Sequence, residues 1–309
     1  VFLRNVAPGP NRDRFADYDT PEITSRIERR EHDAMLVLGW RAKTYWQAMR
    51  ACWRTGTPVY VRGDSQLDDD GGLKRLAKRA LYPRFVGRFS ACLAVGTRSE
   101  AYFRYYGARR VVRSPHFVDN AVFATGAARA RPTRGALRAE WGCDASTLAV
   151  LFVGKLIDKK RPGDVVDACR RVSGTRAIIV GDGPLKGTMA NATVLGFRNQ
   201  SELPAIYAAA DVLVLPSDRQ ETWGLVINEA MAAGLPVIAS DAVGCVPDLI
   251  TPGVTGDRFP TGDVDALAAA LRALIDDPTR GPRMAAGALA RISEYSAGRA
   301  AAGVMEAVS

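Results

Sequence analysis

Two carboxylates, Glu221 and Glu229, stand with seven residues between them around Thr222-Trp223-Gly224-Leu225. The run lies after the apolar stretch Val212-Leu213-Val214-Leu215 and before a small-residue segment ending at Gly234-Leu235-Pro236. Trp223-Gly224-Leu225 reads as the entry to a helix over roughly residues 225–233. Free backbone N–H groups at such an entry, with the helix dipole, favour a phosphate or a polar sugar. Glu221 in the preceding loop can accept from sugar hydroxyls, and Glu229, one turn into the helix, can accept both hydroxyls of a ribose. A carboxylate set among Ala230, Met231 and Ala232 needs a partner, because an unpaired buried charge is costly. The bland alternative is a loop acid and a solvated helix acid.

A second cluster is Gly154-Lys155-Leu156-Ile157-Asp158-Lys159-Lys160-Arg161-Pro162, directly after the apolar run 148–153. A loop in that position lies at the carboxyl edge of a parallel sheet, where ligands bind in open α/β folds. Its cations can hold a diphosphate through charge-assisted hydrogen bonds, or they form a solvated basic loop. Gly181-Asp182-Gly183 falls on the same edge, where glycine lets backbone come close to a ligand. As a GxG turn with Glu202 about twenty residues on, it raises a dinucleotide fold. The continuation Pro184-Leu185-Lys186-Gly187 lacks the full fingerprint, so an NAD-dependent enzyme has only this turn behind it.

The elements that must position these groups alternate regularly in the second part. Strands are expected at 148–153, 177–180, 194–197, 212–215 and 236–239, as continuous apolar runs of the kind buried in parallel sheets. Helices are expected at 164–172, 201–210, 225–233, 263–276 and 281–295, with a helical tail from Ser296. This rhythm predicts a doubly wound parallel sheet. The first part is less regular, with strands at 35–38, 58–61, 92–95 and 110–112 and helices at 43–54 and 73–81. Residues 124–135, rich in Ala, Gly, Arg and Pro, read as a linker. The resulting division is a first domain over 1–123, a linker over 124–146, a second domain over 147–285 and terminal helices over 286–309, which could cross back to the first domain.

Composition narrows the class. At 309 residues, 47% hydrophobic and 24% charged, the chain is that of a folded globular protein. No apolar run approaches the about 18 residues of a membrane-spanning helix, and no secretory leader is read from Val1-Phe2-Leu3 as it stands. The five cysteines are odd in number and form no CxxC pair. With His32 and His116 away from metal-ligand spacing, neither a zinc site nor a disulfide framework is expected, and a reducing compartment is. Residues 1–147 hold 26 Lys+Arg against 15 Asp+Glu, a balance of +11, whereas residues 148–309 hold 16 against 18, a balance of −2. A basic first part suits phosphorylated substrates or acidic lipid headgroups. No nucleic-acid module is read.

The run SDRQETWGLVINEAMAAGLPVIAS resembles the E-x7-E element of the family 4 retaining GT-B glycosyltransferases. GKLIDKKRP, VGDGPL, LGFRNQSELPAIYAAADVLVLPS and SPHFVDNAVF resemble further family segments in the same order, across roughly residues 90–275. The resemblance implies a GT-B fold of two Rossmann-like doubly wound parallel-sheet domains. It also implies transfer of a hexose-type sugar from a UDP- or GDP-linked donor to a glycan, lipid or small-molecule acceptor, with retention and without metal or other cofactor. It gives Lys155 and Lys160 the donor diphosphate, Lys155 standing where an arginine is usual and keeping charge without the bidentate fork. It gives Glu221 the transferred sugar and Glu229 the ribose. Gly154, Gly183, Trp223, Gly224 and Leu225 would line the donor, and Arg198 would stand where backbone meets the base. Pro115-His116-Phe117-Val118-Asp119 resembles the family's interdomain crossing, which makes His116 a hinge residue at the possible cleft in preference to a catalytic base.

A usual member opens its first domain with a strand and a glycine-rich loop facing the acceptor. No such opening is read here, so the first domain is expected to be incomplete, starting roughly 60 to 80 residues into a usual member. Arg62 and Asp64, at a strand's carboxyl end, could touch acceptor or donor or form a paired structural turn. The basic segment Leu73 to Phe89 could dock on anionic lipid or be a surface helix packing Leu73, Leu76 and Ala80 inward. Polysaccharide or glycolipid assembly, in the cytoplasm or at the inner membrane face, is the expected setting. A nucleotide-sugar epimerase and a non-catalytic nucleotide-sugar binding protein are the alternatives.

Overall fold

A computed structural model describes residues 2–8, 14–67 and 73–309, with the side chains of residues 73–75 excepted. The chain divides into two compact units, one of Val1–Pro115 with Ala300–Ser309 and one of His116–Arg299.

The first unit holds a four-stranded parallel sheet of β1 (Met35–Val37), β2 (Val59–Gly63), β3 (Ala91–Ala94) and β4 (Val111–Arg113), in that spatial order. Helices α1 (Glu22–Glu28), α2 (Lys43–Thr55), α3 (Leu73–Val86) and α4 (Thr97–Tyr105) connect and flank the strands. Its core is aromatic. Trp40 meets Phe85 edge-on at 5.3 Å between centroids, Trp46 stacks on Phe85 at 5.0 Å, and Arg88 lies 3.7 Å over the Trp53 ring. The carboxyl half of α3 therefore carries the packing. Leu76 and Leu81 are 64% and 66% exposed, and Ala80 is exposed too. The inward packing expected of Leu76 and Ala80 is not found, because Phe85 and Val86 occupy that role; Leu73 lies outside the described side chains.

The second unit begins with α5 (Asn120–Ala130) and α6 (Arg134–Glu140), joined by a 3-10 turn. The stretch read from composition as a linker is thus helical. Asp119 caps α5 by accepting from the amides of Ala121 and Val122 at 3.1 Å each, and the alanines that follow have high helix propensity. Gly126 serves close packing rather than flexibility, since a Cβ there would stand 2.7 Å from the Pro204 side chain.

A six-stranded, wholly parallel sheet follows, ordered β10-β9-β8-β5-β6-β7. The strands are β5 (Leu148–Val153), β6 (Thr175–Val180), β7 (Thr193–Gly196), β8 (Val212–Leu215), β9 (Val237–Ser240) and β10 (Asp257–Phe259). Helices α7 (Pro162–Arg170), α8 (Leu203–Ala209), α9 (Leu225–Ala232), α10 (Val246–Leu249), α11 (Val264–Asp276) and α12 (Arg280–Ile292) alternate with and follow them. β5 and β8 are buried along their length, which is why their sequences are continuous apolar runs rather than alternating ones. α11 shows the complementary pattern. Asp263 caps it by accepting from the Ala266 amide at 2.9 Å, and Leu267, Leu271 and Leu274 form one buried stripe, each worth about 1.5–3 kcal/mol when removed from water. β10 is a strand the sequence pattern did not show.

The last helix, α13 (Ala297–Val308), returns residues from Ala300 onward to the first unit. Ala307 packs among Tyr60, Ala91, Leu93 and Val112, and the Ser114 hydroxyl donates to the Ala300 carbonyl at 3.0 Å.

Candidate functional site

The carboxyl edge of the second sheet is built from backbone crossing backbone. The Gly154 amide donates to the Val180 carbonyl at 3.0 Å, and the Leu156 amide donates to Asp182 O at 2.9 Å. The loops after β5 and β6 are therefore one layer. At Gly181, with φ of 142°, a Cβ would stand 1.8 Å from the Gly154 carbonyl oxygen, a distance no side chain can occupy. Gly154 and Gly183 lie in the same crossing, Gly183 over the Leu156 carbonyl.

Lys160 and Glu221 meet over this layer. The Lys160 ammonium donates to Glu221 Oε2, and the two side chains are only 18% and 15% exposed. The loops themselves are tied as well, since the Asp218 amide donates to the Lys159 carbonyl at 2.9 Å. Lys155 is exposed and has no ion-pair partner among the described residues, leaving its charge available.

Gly224 precedes α9 in the left-handed region, with φ of 97°, and no side chain among the described residues caps the helix. The loop leading to it is pinned by the Gly244 amide on the Glu221 carbonyl, at 2.9 Å, and by the Cys245 amide on the Trp223 carbonyl, at 3.1 Å. Leu225, the first helical residue, is 41% exposed. Trp223 is placed differently from a ligand-lining ring. It is 3% exposed, its Nε1 donates to Asn228 Oδ1 at 2.9 Å, and its edge meets His116 at 5.6 Å. Asn228 in turn donates to the His116 carbonyl at 3.3 Å. Trp223 and Asn228 therefore fix the helix entry, and His116 belongs to that support within the second unit.

Glu229 is 9% exposed, and its Oε2 accepts from the Tyr207 hydroxyl at 2.6 Å. Burial pushes its pKa up from the ordinary carboxylate value, and the Tyr207 donor partly offsets that shift. The Tyr207 phenol is held well above its ordinary pKa, by burial first and then by the neighbouring carboxylate, so it stays a donor. Tyr207 and Asn228 were not singled out by sequence reasoning. The tyrosine's spacing in α8 marks a buried position and says nothing of the carboxylate 22 residues on.

Other expected residues have partners of their own. Arg198 is exposed after β7 and pairs with Glu202 at 3.2 Å. Arg62, in the first unit, donates from Nε to the Ser114 carbonyl at 3.3 Å and from Nη2 to the Pro115 carbonyl at 2.8 Å. It ties the end of β2 to the residues that follow β4. Asp64 acts on it electrostatically, raising an arginine pKa that burial lowers. Among the described residues no group of three or more His, Cys, Asp or Glu side chains is arranged to hold a metal ion.

A cavity of about 970 Å³ opens on the opposite, amino edge of the second sheet. It is walled by Arg131, Arg134 and Arg138 with Asp211, which accepts from Arg134 at 2.6 Å, from Arg138 at 2.7 Å and from the Ala149 amide at 2.8 Å. Arg134 and Arg138 join α6 to the starts of β5 and β8, and Arg131 donates to the Ala233 carbonyl, after α9, at 3.0 Å.

Comparison with known proteins places the second unit. The family described as Glycosyl transferases group 1 matches residues 147–277. A GDP-mannose-dependent alpha-mannosyltransferase of Mycobacterium tuberculosis is 41% identical over 133 residues, 42% of this chain and 34% of the relative. A D-inositol 3-phosphate glycosyltransferase of Mycobacterium bovis is 30% identical over 284 residues, 86% of this chain and 55% of the relative. The chain thus spans little more than half of the longer match. Among solved structures, Anabaena HepE in complex with UDP aligns with a TM-score of 0.75 at 21% identity, over 94% of this chain and 82% of that one. Sucrose-phosphate synthase from Thermosynechococcus elongatus aligns at 0.74 and 20%, over 98% and 81%. These likenesses establish the fold: two parallel-sheet α/β units of the GT-B kind, the first with the smaller sheet.

Proposed function

We propose that the protein is a glycosyltransferase that moves a hexose-type sugar from a nucleotide-diphosphate donor, UDP- or GDP-linked, to a glycan, lipid or small-molecule acceptor with retention at the anomeric carbon. The observation that carries the reading is the convergence on one sheet edge of the Lys160–Glu221 pair, the uncapped start of α9 and the Tyr207-bound Glu229. A cation, a helix entry that no side chain caps and two carboxylates at different depths match a diphosphate, a sugar and a ribose. The names of the relatives support it, one acting on GDP-mannose and one structure having been solved with UDP-glucose.

In this reading Lys155 and Lys160 neutralise the diphosphate as the bond from anomeric carbon to phosphate oxygen breaks, and the α9 amides take up charge on the departing oxygen. Glu221 leaves Lys160 in part to accept from hydroxyls of the transferred sugar, and Glu229 accepts from the ribose. Holding sugar and leaving group in register supplies rate through orientation. The acceptor oxygen attacks from the face the diphosphate leaves, its proton passing to a diphosphate oxygen. Incubation with radiolabelled UDP- and GDP-hexoses and a panel of glycan and lipid acceptors tests the assignment. Transfer or slow donor hydrolysis is expected, whereas isomerised donor would make the protein an epimerase. Donor binding without turnover would make it a binding protein.

The basic first unit favours phosphorylated or membrane-borne acceptors. Leu76 and Leu81 stand exposed on α3 with Arg79 and Arg84, a composition that suits an anionic bilayer surface. No helix among the described residues is long and apolar enough to cross a membrane. Co-sedimentation with phosphatidylglycerol vesicles but not phosphatidylcholine vesicles is expected.

A further inference from the structure

We infer that Tyr207 is a positioning residue for the nucleotide ribose, holding the Glu229 carboxylate through one oxygen so that the other is presented to the ribose hydroxyls. The inference rests on the donor site proposed above. Tyr207 lies on α8 and Glu229 on α9, and their hydrogen bond of 2.6 Å is buried. The tyrosine is 1% exposed, its ring packed 6.1 Å from that of Phe123. Its hydroxyl thus has a fixed place, and the carboxylate plane of Glu229 is set by it. Among the described residues Glu229 Oε1 has no partner, and it is not one of the buried atoms that lack one, so this oxygen is the one that reaches the outside. A single carboxylate oxygen has two lone pairs and can accept from both vicinal hydroxyls of a ribose.

The same contact favours the form of Glu229 that accepts. α9 packs on α5, α12, β8 and β9, and none of these brings a charged group that acts on the carboxyl; the titratable neighbour is Tyr207 from α8. Burial favours the protonated acid, whose proton would compete with the ribose, and the tyrosine donor opposes it. No cation does this work. A neutral donor is sufficient to orient the carboxylate, and it leaves the site's positive charge with Lys155 and Lys160.

The test is calorimetric titration of UDP, GDP and their 2′,3′-dideoxy counterparts into wild type, Tyr207→Phe and Glu229→Ala. Phenylalanine keeps the ring and its packing. Tyr207→Phe is expected to weaken the ribonucleotide that binds wild type by about ten- to a hundred-fold, the scale of a hydrogen bond to a charged group. It should leave the dideoxy counterpart almost unchanged and move the acid limb of ribonucleotide binding to higher pH. Equal weakening of both nucleotides, or no weakening while Glu229→Ala loses ribose discrimination, overturns the role of Tyr207 alone. Unchanged discrimination in Glu229→Ala overturns the ribose assignment, and this inference falls with it.

Discussion

Replacing Lys160 with alanine leaves the Glu221 carboxylate in a loop layer where its side chain is 15% exposed. Breaking a fully buried pair costs about 3–5 kcal/mol, and an exposed pair contributes about 0.2–1 kcal/mol. With partners at 18% and 15% exposure, Lys160→Ala should fall between these limits, at about 1–3 kcal/mol. Removing both partners relieves the stranded carboxylate, so the double variant should be less destabilised than the two single variants summed. The coupling should be about 1 kcal/mol or more. Urea unfolding of wild type, Lys160→Ala, Glu221→Ala and the double variant at equal m-value gives this coupling. It should persist at about 0.5 M salt, because screening acts weakly on partly buried charges. A coupling below about 0.3 kcal/mol, within the error expected of independent sites, would refute the reasoning that this edge is organised by the pair. Loss of the lysine should also weaken nucleoside diphosphate binding by about ten-fold or more.

Gly181→Ala places a Cβ 1.8 Å from the Gly154 carbonyl oxygen and should destabilise by about 2 kcal/mol or more while abolishing donor binding. Gly163→Ala, where nothing stands within 4 Å, should be neutral or stabilising by up to about 1 kcal/mol; equal urea midpoints for the two variants would contradict the loop crossing. Glu229 has a folded pKa above its ordinary 4.5, so its stabilising contribution is full below that value and is lost as pH rises through the folded pKa. Glu229→Gln should therefore raise Tm at about pH 8, with the gain shrinking toward about pH 5, while weakening donor binding; a lower Tm at pH 8 would reverse the sign. Burial pushes the thiols of Cys92 and Cys169 to about 12 and about 11. At pH 8 fewer than about one in a thousand is thiolate, so native protein should resist iodoacetamide at both positions, as read by peptide mass spectrometry.

Much of the second unit is legible in the chain because burial on both sheet faces writes itself as unbroken apolar runs. The runs at 148–153 and 212–215 coincide with β5 and β8 to the residue. β10 escaped the same reasoning because Asp257-Arg258-Phe259 is short, and its buried carboxylate is satisfied by Arg280 at 2.8 Å, from a helix more than twenty residues away. The 124–135 stretch reads as a linker from its Ala, Gly, Arg and Pro content, whereas it is helical, with Gly126 packed against Pro204 of α8. At the site, the sequence could place Lys160 and Glu221 on one sheet edge, since each follows a strand. It could not show that they pair across 61 residues, nor that Tyr207 holds Glu229. Such contacts depend on how loops and helices meet in space, and no local periodicity encodes them.

The central claim is that the carboxyl edge of the second sheet holds a nucleotide-sugar donor. A crystal structure of the protein with UDP or GDP tests it most directly. The diphosphate is expected within hydrogen-bond distance of Lys155 or Lys160 and of the first α9 amides, with the ribose hydroxyls on the free oxygen of Glu229. Nucleotide density confined to the arginine-lined cavity at the amino edge, or a ribose turned away from Glu229, would contradict it.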